Sequence, residues 1–158
     1  MTTPDPGRSG AGPARFALGV GLTNACNLRC AYCRCPDVKI EMMTTAQWVE
    51  TIDGLGSHGT MRIKYQGGEP TLRTDFRTIC AASQAAGIIT AVVTNGLQFA
   101  AKPELFDHLD EIVFSLDSAT PEHTDKMRGA GVHALRRWYV HIERRSHRLR
   151  TVRQRHQQ

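Results

Sequence analysis

Three cysteines stand within eight residues of one another in the segment CNLRCAYC, as Cys26, Cys30 and Cys33. Thiolates are the natural ligands of zinc and of iron–sulfur clusters. On a helix the first and last thiols would lie about 10 Å apart along the axis, which is too far for one small centre. Asn24 and Asn27 instead favour turns. We therefore predict a loop that directs three thiols toward one point.

The number of thiols bears on which metal they would hold. A structural zinc site takes four protein ligands, commonly from two C-x2-C pairs. Cys35 follows Cys33 too closely to have an independent direction, and Cys80 lies in a predicted helix, so we interpret both as non-ligands. Three thiolates on a [4Fe–4S] cluster would leave one iron without protein sulfur, and an open metal position is typical of catalytic centres.

The elements that must position this segment alternate between strand and helix. Strands are predicted over RFALGVGLT, MRIKYQ, IITAVVT and EIVFSLD, and helices between them over TTAQWVETIDGLG, RTDFRTICAASQAA and KPELFDHL. Thr44 or Thr45 is the predicted N-cap of the first helix, Gly56 its stop, and Gly87 the end of the second. This alternation predicts an α/β fold with a parallel sheet.

Candidate site residues follow each of the four predicted strands. Parallel sheets of this kind bind ligands at the C-terminal ends of their strands. Strand one leads into the cysteines, and the next three lead into Gly67-Gly68-Glu69-Pro70, Thr94-Asn95-Gly96 and Ser115-Leu116-Asp117. The sequence therefore predicts one site at one edge of the sheet.

These residues together resemble a known family, the radical S-adenosylmethionine (SAM) enzymes. The spacing C-x3-C-x-aromatic-C, with Tyr32 as the aromatic residue, is similar to the cluster motif of that family. Gly67-Gly68-Glu69-Pro70 resembles its GGEP motif. The resemblance implies that Cys26, Cys30 and Cys33 hold a [4Fe–4S] cluster whose fourth iron binds the amino and carboxylate groups of SAM.

The resemblance also implies the SAM contacts. The GGEP motif would meet the methionine amino group, since glycines permit close approach and Glu69 offers a carboxylate to an ammonium. Ser115 and Asp117 resemble the pair that binds the ribose hydroxyls, and Arg128 resembles the arginine that meets the SAM carboxylate. No side chain is assigned a catalytic role. The predicted cofactor-binding residues are Tyr32, Gly67, Gly68, Glu69, Pro70, Asn95, Ser115, Asp117 and Arg128.

The implied reaction is reductive cleavage of SAM to methionine and a 5′-deoxyadenosyl radical, which takes a hydrogen atom from a substrate. A one-electron donor such as flavodoxin or ferredoxin would be a partner. The motifs resemble more closely the branch of the family that modifies peptides or builds cofactors. Two alternatives stay open: a non-catalytic zinc- or cluster-binding module, and an inactive fragment of such an enzyme.

The length limits how much of such a fold is present. A complete eight-unit barrel takes about 250 residues, whereas the chain has 158. We predict a partial TIM-type (βα) barrel of about four units over residues 15–135, which resembles a family core truncated after its fourth unit. Residues 1–14 are predicted to be a flexible lead. Residues 136–158 are interpreted as a basic tail that is either disordered or frame-shifted, and no further strand is predicted after the fourth.

The net charge of +5 comes from the tail. Residues 132–158 contain eight arginines and one glutamate, so the rest of the chain is slightly acidic. Few aromatic residues accompany these charges, which disfavours nucleic-acid binding. No segment of about 18 consecutive apolar residues occurs in this sequence, and residues 1–14 lack the apolar core that is typical of a signal peptide, so we expect none there. With five cysteines, an odd number, we predict a cytoplasmic protein with reduced thiols and no membrane contact.

Overall fold

The computed structural model describes residues 16–35, 41–99, 101–129 and 150–151. Within them, five strands form one sheet in the order β1-β2-β3-β4-β5, and every neighbouring pair is parallel. The strands are β1 (Phe16–Thr23), β2 (Thr60–Gly67), β3 (Ile89–Thr94), β4 (Glu111–Phe114) and β5 (Arg150–Thr151). The helices are α1 (Thr45–Ser57), α2 (Phe76–Ala85) and α3 (Pro121–Arg128), with short 3-10 helices at Pro70–Leu72 and Pro103–Phe106.

The predicted fold class is confirmed, because four parallel strands alternate with helices as in a partial TIM-type (βα) barrel. The core lies between one face of the sheet and helices α1 and α2. Tyr65 is its centre: the ring is fully buried and makes edge-to-face contacts with Trp48 of α1 and Phe76 of α2, at centroid distances of 6.4 and 6.5 Å. Each buried side chain of this size stabilises the fold by roughly 1.5–3 kcal/mol.

Helix α1 begins as predicted and ends differently. Thr44 is the N-cap and forms a capping box with Gln47, which satisfies two otherwise unpaired backbone N–H groups. Gly56, however, lies inside the helix, so the prediction that it stops α1 is wrong. A Cβ on Gly56 would lie 3.0 Å from the Cβ of Ala86. The glycine therefore lets α1 pack closely against the end of α2.

Two elements differ from the sequence predictions. Helix α3 is not among the predicted helices, although Pro121 at its start, Glu122 in its first turn and Arg128 in its last are all favourable signals. Strand β5 pairs with β4 through Glu111 and Arg150, so the prediction of no strand after the fourth is wrong. The predicted lead at residues 1–14 and the predicted tail, apart from residues 150–151, lie outside the described residues.

No helix within the described ranges is long and apolar enough to cross a membrane.

Candidate functional site

The turn after β2, residues 67–71 and here the glutamate turn, packs backbone to backbone against the end of β1. Gly68 N–H donates to the Thr23 carbonyl at 2.6 Å, and Glu69 N–H donates to the Ala25 carbonyl at 2.8 Å. A Cβ on Gly68 would lie 2.2 Å from the Ala25 oxygen, and one on Gly67 would lie 2.3 Å from the Thr23 oxygen. Gly67 also has a φ of +125°. Only glycine fits either position.

The Glu69 carboxylate connects the segments at the ends of β2 and β3. It is 1% exposed and accepts four hydrogen bonds. Oε1 accepts from Thr71 N–H (3.3 Å), Thr71 Oγ1 (2.6 Å) and Thr94 Oγ1 (2.8 Å), while Oε2 accepts from Asn95 N–H (2.7 Å). Four donors offset the cost of burying the charge. Glu69 therefore joins the end of β2 to the end of β3. It is also the N-cap of the 3-10 helix that begins at Pro70.

Asn95 braces the segment that carries the cysteines, residues 24–35 and here the cysteine loop. Its side-chain Nδ2 donates to Asn27 Oδ1 at 2.8 Å, and its Oδ1 accepts from Leu97 N–H at 3.0 Å. Ser115 N–H donates to the Thr94 carbonyl at 2.9 Å, which places Ser115 beside the end of β3. The structure thus brings the predicted residues after β2, β3 and β4 to one edge.

The three predicted ligand thiols share the cysteine loop. Cys26 and Cys30 are half-buried and Cys33 is exposed. Cys33 N–H donates to the Cys30 carbonyl at 3.0 Å, which makes a tight turn between these two residues. Burial raises the pKa of Cys30, nearby Arg128 opposes that rise, and the charges of Cys26 and Cys33 add to it.

The other two cysteines differ in their surroundings. Cys80 is fully buried in the core, as predicted for a non-ligand. Cys35 lies in the cysteine loop, with its Sγ 3.6 Å from Asn24 Oδ1. Burial raises the pKa of Cys35, and the charges of Cys33 and Cys26 raise it further.

Within the described part of the chain, no group of three His, Cys, Asp or Glu side chains could hold a single metal ion. The donor set fits a cluster in which each iron takes one thiolate, because Cys26, Cys30 and Cys33 are three partly accessible thiols on one loop.

Tyr32, Asp117 and Arg128 form a connected set beside the cysteines, here the latch. The Tyr32 hydroxyl donates to Asp117 Oδ2 at 2.8 Å, and Arg128 Nη2 donates to Asp117 Oδ1 at 2.9 Å. Arg128 Nε lies 2.7 Å from Asp117 Oδ2, and the guanidinium carbon stands 5.8 Å from the centre of the Tyr32 ring. Burial, followed by the hydrogen bond to Asp117, raises the pKa of Tyr32.

The ion pair between Arg73 and Asp75 holds together the starts of helices α1 and α2. Arg73 contacts both carboxylate oxygens of Asp75, at 2.8 and 2.7 Å, and donates to the Leu22 carbonyl of β1 at 3.0 Å. Thr45 Oγ1 of α1 donates to Asp75 at 2.6 Å. The hydrogen bond from Arg73 lowers the pKa of Asp75. Sequence reasoning missed this pair, since no motif marks it.

Sequence reasoning also missed two threonines. Thr71 and Thr94 hold Glu69 but were not among the predicted cofactor-binding residues. Thr94 lies at the end of β3, in the Thr94-Asn95-Gly96 segment that the sequence placed at the site, but no contact with Glu69 was predicted for it. The partnership of Thr71 with Glu69 has no comparable sequence signal.

The comparison with known families agrees with this geometry. Residues 20–148 match the model of the Radical SAM superfamily. The chain belongs to the radical SAM superfamily.

Individual relatives are longer than this chain. The S-adenosylmethionine-dependent nucleotide dehydratase of Selenomonas ruminantium is 33% identical over 112 residues, covering 68% of this chain and 41% of that protein. Mycofactocin maturase MftC of Mycobacterium ulcerans (strain Agy99) is 35% identical over 128 residues, covering 77% of this chain and 34% of that protein. The chain thus spans less than half the length of these relatives.

A solved structure shares the fold. SuiB of Streptococcus suis bound to S-adenosylmethionine has a TM-score of 0.66 at 19% identity, covering 81% of this chain and 32% of that one. SuiB bound to its precursor peptide SuiA has a TM-score of 0.62 at 20% identity, covering 73% and 28%.

Proposed function

We propose that the chain binds a [4Fe–4S] cluster through Cys26, Cys30 and Cys33 and binds SAM beside it, for reductive cleavage of SAM. One observation carries the proposal. The glutamate turn is hydrogen-bonded to Ala25, the residue directly before Cys26, with Glu69 N–H 2.8 Å from the Ala25 carbonyl. One backbone hydrogen bond therefore connects the turn that would meet the SAM amino group to the start of the loop that would hold the cluster.

When bound and reduced, the cluster supplies one electron that cleaves a carbon–sulfur bond of SAM, giving methionine and a radical that takes a hydrogen atom from the substrate. The chain's own part is to bind and orient. Among the described residues, Glu69 Oε2 accepts one hydrogen bond, from Asn95 N–H, and a carboxylate oxygen can accept two, so we propose that it accepts the second from the ammonium group. Gly67 and Gly68 bring the backbone close to the same position.

The remaining predicted SAM contacts are Tyr32, Asn95, Ser115, Asp117 and Arg128, with Ser115 and Asp117 toward the ribose and Arg128 toward the carboxylate. Arg128 is 8% exposed, and a buried guanidinium is a strong partner for a carboxylate. Family membership supports these roles. Asp117 already contacts Tyr32 and Arg128, so a ribose hydroxyl would have to join or replace one of them.

For the whole protein we propose a peptide or cofactor precursor as the substrate, a flavodoxin or ferredoxin as the electron donor, and the cytoplasm as the compartment. The substrate proposal is supported by SuiB, whose structure holds a precursor peptide. The five cysteines support a reducing compartment.

The test is anaerobic reconstitution with iron and sulfide, followed by iron analysis and incubation with SAM and dithionite. We expect about four irons per chain, brown protein and formation of 5′-deoxyadenosine. Cys30→Ser should lose most of the iron, while Cys35→Ala, the matched control from the same loop, should keep it.

Two results would overturn the proposal. One zinc per chain, unchanged in Glu69→Ala, would favour the metal-binding module. A loaded cluster that yields no 5′-deoxyadenosine would favour an inactive fragment.

A further inference from the structure

We infer that the latch is a positioning device that holds the cysteine loop against α3 before any cofactor binds. This inference rests on the proposed function and adds a role for three of its residues. In this reading Tyr32, Asp117 and Arg128 act on the cluster ligands through the loop backbone, in addition to any contact that they make with SAM.

The loop is attached at two adjacent residues that lie between the ligand cysteines. Ala31 N–H donates to the Met127 carbonyl of α3 at 2.9 Å, and the Tyr32 hydroxyl donates to Asp117 at 2.8 Å. Residues 31 and 32 are the whole connection between Cys30 and Cys33. Holding both of them restrains the backbone that joins the two ligand cysteines.

Asp117 and Arg128, the two latch residues outside the cysteine loop, are themselves well supported. The side chains of Arg128 and Asp117 are 10% and 16% exposed, and their closest N···O distance is 2.7 Å. Thr124 is fully buried in α3 and its Oγ1 donates to the Ser118 carbonyl at 3.2 Å. Removing one partner of such a sheltered pair leaves the other charge buried and uncompensated, which costs far more than breaking an exposed pair.

The chain contains a natural counterpart for comparison. Arg77 and Asp107 form an ion pair of 3.3 Å whose side chains are 52% and 55% exposed. Both pairs join an arginine to an aspartate, but the exposed pair touches neither the cysteine loop nor the glutamate turn. Exposed pairs of this kind contribute little, so Asp107→Asn is a matched control for Asp117→Asn.

The first experiment measures amide hydrogen exchange in the chain without cofactor. In Asp117→Asn, the amides of residues 31–33 should exchange about tenfold faster or more, while those of β3 stay protected. In Asp107→Asn, residues 31–33 should exchange at the parent rate. Unchanged exchange at residues 31–33 in Asp117→Asn would overturn the inference.

A gentler variant keeps the test decisive if Asp117→Asn does not fold. Tyr32→Phe keeps the ring beside Arg128 and removes the hydroxyl, so exchange at residues 31–33 should rise about threefold or more. A rate equal to that of the parent chain would contradict the latch.

The second experiment separates positioning from general stability. In reconstituted protein, the half-time for transfer of iron to a chelator should shorten about fivefold or more in Asp117→Asn, with the Asp107→Asn half-time unchanged. Arg128→Lys keeps the charge but removes the planar guanidinium and its hydrogen bond geometry to Asp117, and it should also shorten the half-time. Equal half-times in all variants would overturn the positioning role. If no cluster is taken up, the proposed function fails, and the exchange experiment still decides whether the latch exists.

Discussion

The glutamate turn and the cysteine loop lie side by side at the same edge of the sheet but are built differently. The turn is held by backbone contacts to β1 and by Glu69, which is 1% exposed and accepts four hydrogen bonds. The thiols of the loop are half-buried or exposed. The glutamate turn is therefore held by contacts within the folded chain, whereas the thiols proposed as cluster ligands are only partly covered.

The largest effect is expected from Gly68→Ala. The new Cβ would lie 2.2 Å from the Ala25 carbonyl oxygen, so the two backbones must separate and the free energy of unfolding should fall by about 3 kcal/mol. Urea unfolding measures this change. The control is Gly21→Ala, whose Cβ would meet nothing within 4 Å. Equal stability of the two variants would show that the close approach is not needed.

Glu69→Gln should have the next largest effect. A glutamine amide nitrogen cannot accept the hydrogen bonds that one carboxylate oxygen now accepts, so a buried donor such as Asn95 N–H loses its partner. We expect a loss of about 2 kcal/mol in the free energy of unfolding. Glu50→Gln on the exposed surface of α1 is the control, and a loss of the same size there would refute the explanation.

These contacts mark the limit of what the sequence predicts. Local signals located the strands, the N-cap at Thr44 and the polar residues after each strand, because the alternation of apolar and polar residues and helix capping depend on residues that are neighbours in the sequence. The partners of Glu69 depend on how β2 and β3 align, which short sequence patterns do not encode. For the same reason Gly56 looked like a helix stop: its contact with Ala86 comes from the packing of two helices.

Helix α3 was missed for a different reason. Its signals, with Pro121 at the start and Arg128 at the end, were present, but Arg128 was interpreted through its family role alone. Asp117 was likewise predicted as a ribose ligand, and its contacts with Tyr32 and Arg128 bring together residues that are 85 and 11 positions apart. No local pattern reveals such contacts.

A moderate effect of pH is expected at the Arg73–Asp75 pair. Because the pKa of Asp75 is lowered in the folded chain, its stabilisation is present above the ordinary carboxyl range and is lost as the pH falls below about 4. Asp75→Asn should lower stability by about 1 kcal/mol at pH 7 and flatten the loss below pH 4. Thermal unfolding between pH 3 and 7 tests this, and parallel curves for parent and variant would contradict it.

The smallest effect is expected from Cys33→Ala in the chain without cofactor. Cys33 is exposed, so the free energy of unfolding should change by no more than about 0.5 kcal/mol. Urea unfolding of the apo chain measures it beside Gly68→Ala. A loss as large as that of Gly68→Ala would erase the difference between the loop and the turn.

Helices α1 and α2 are joined at both ends: at their starts by Thr45 and Asp75, 2.6 Å apart, and at their far ends by Gly56 against Ala86. Because the joined helices pack against β2 and β3, they should move together with that part of the sheet and resist its bending.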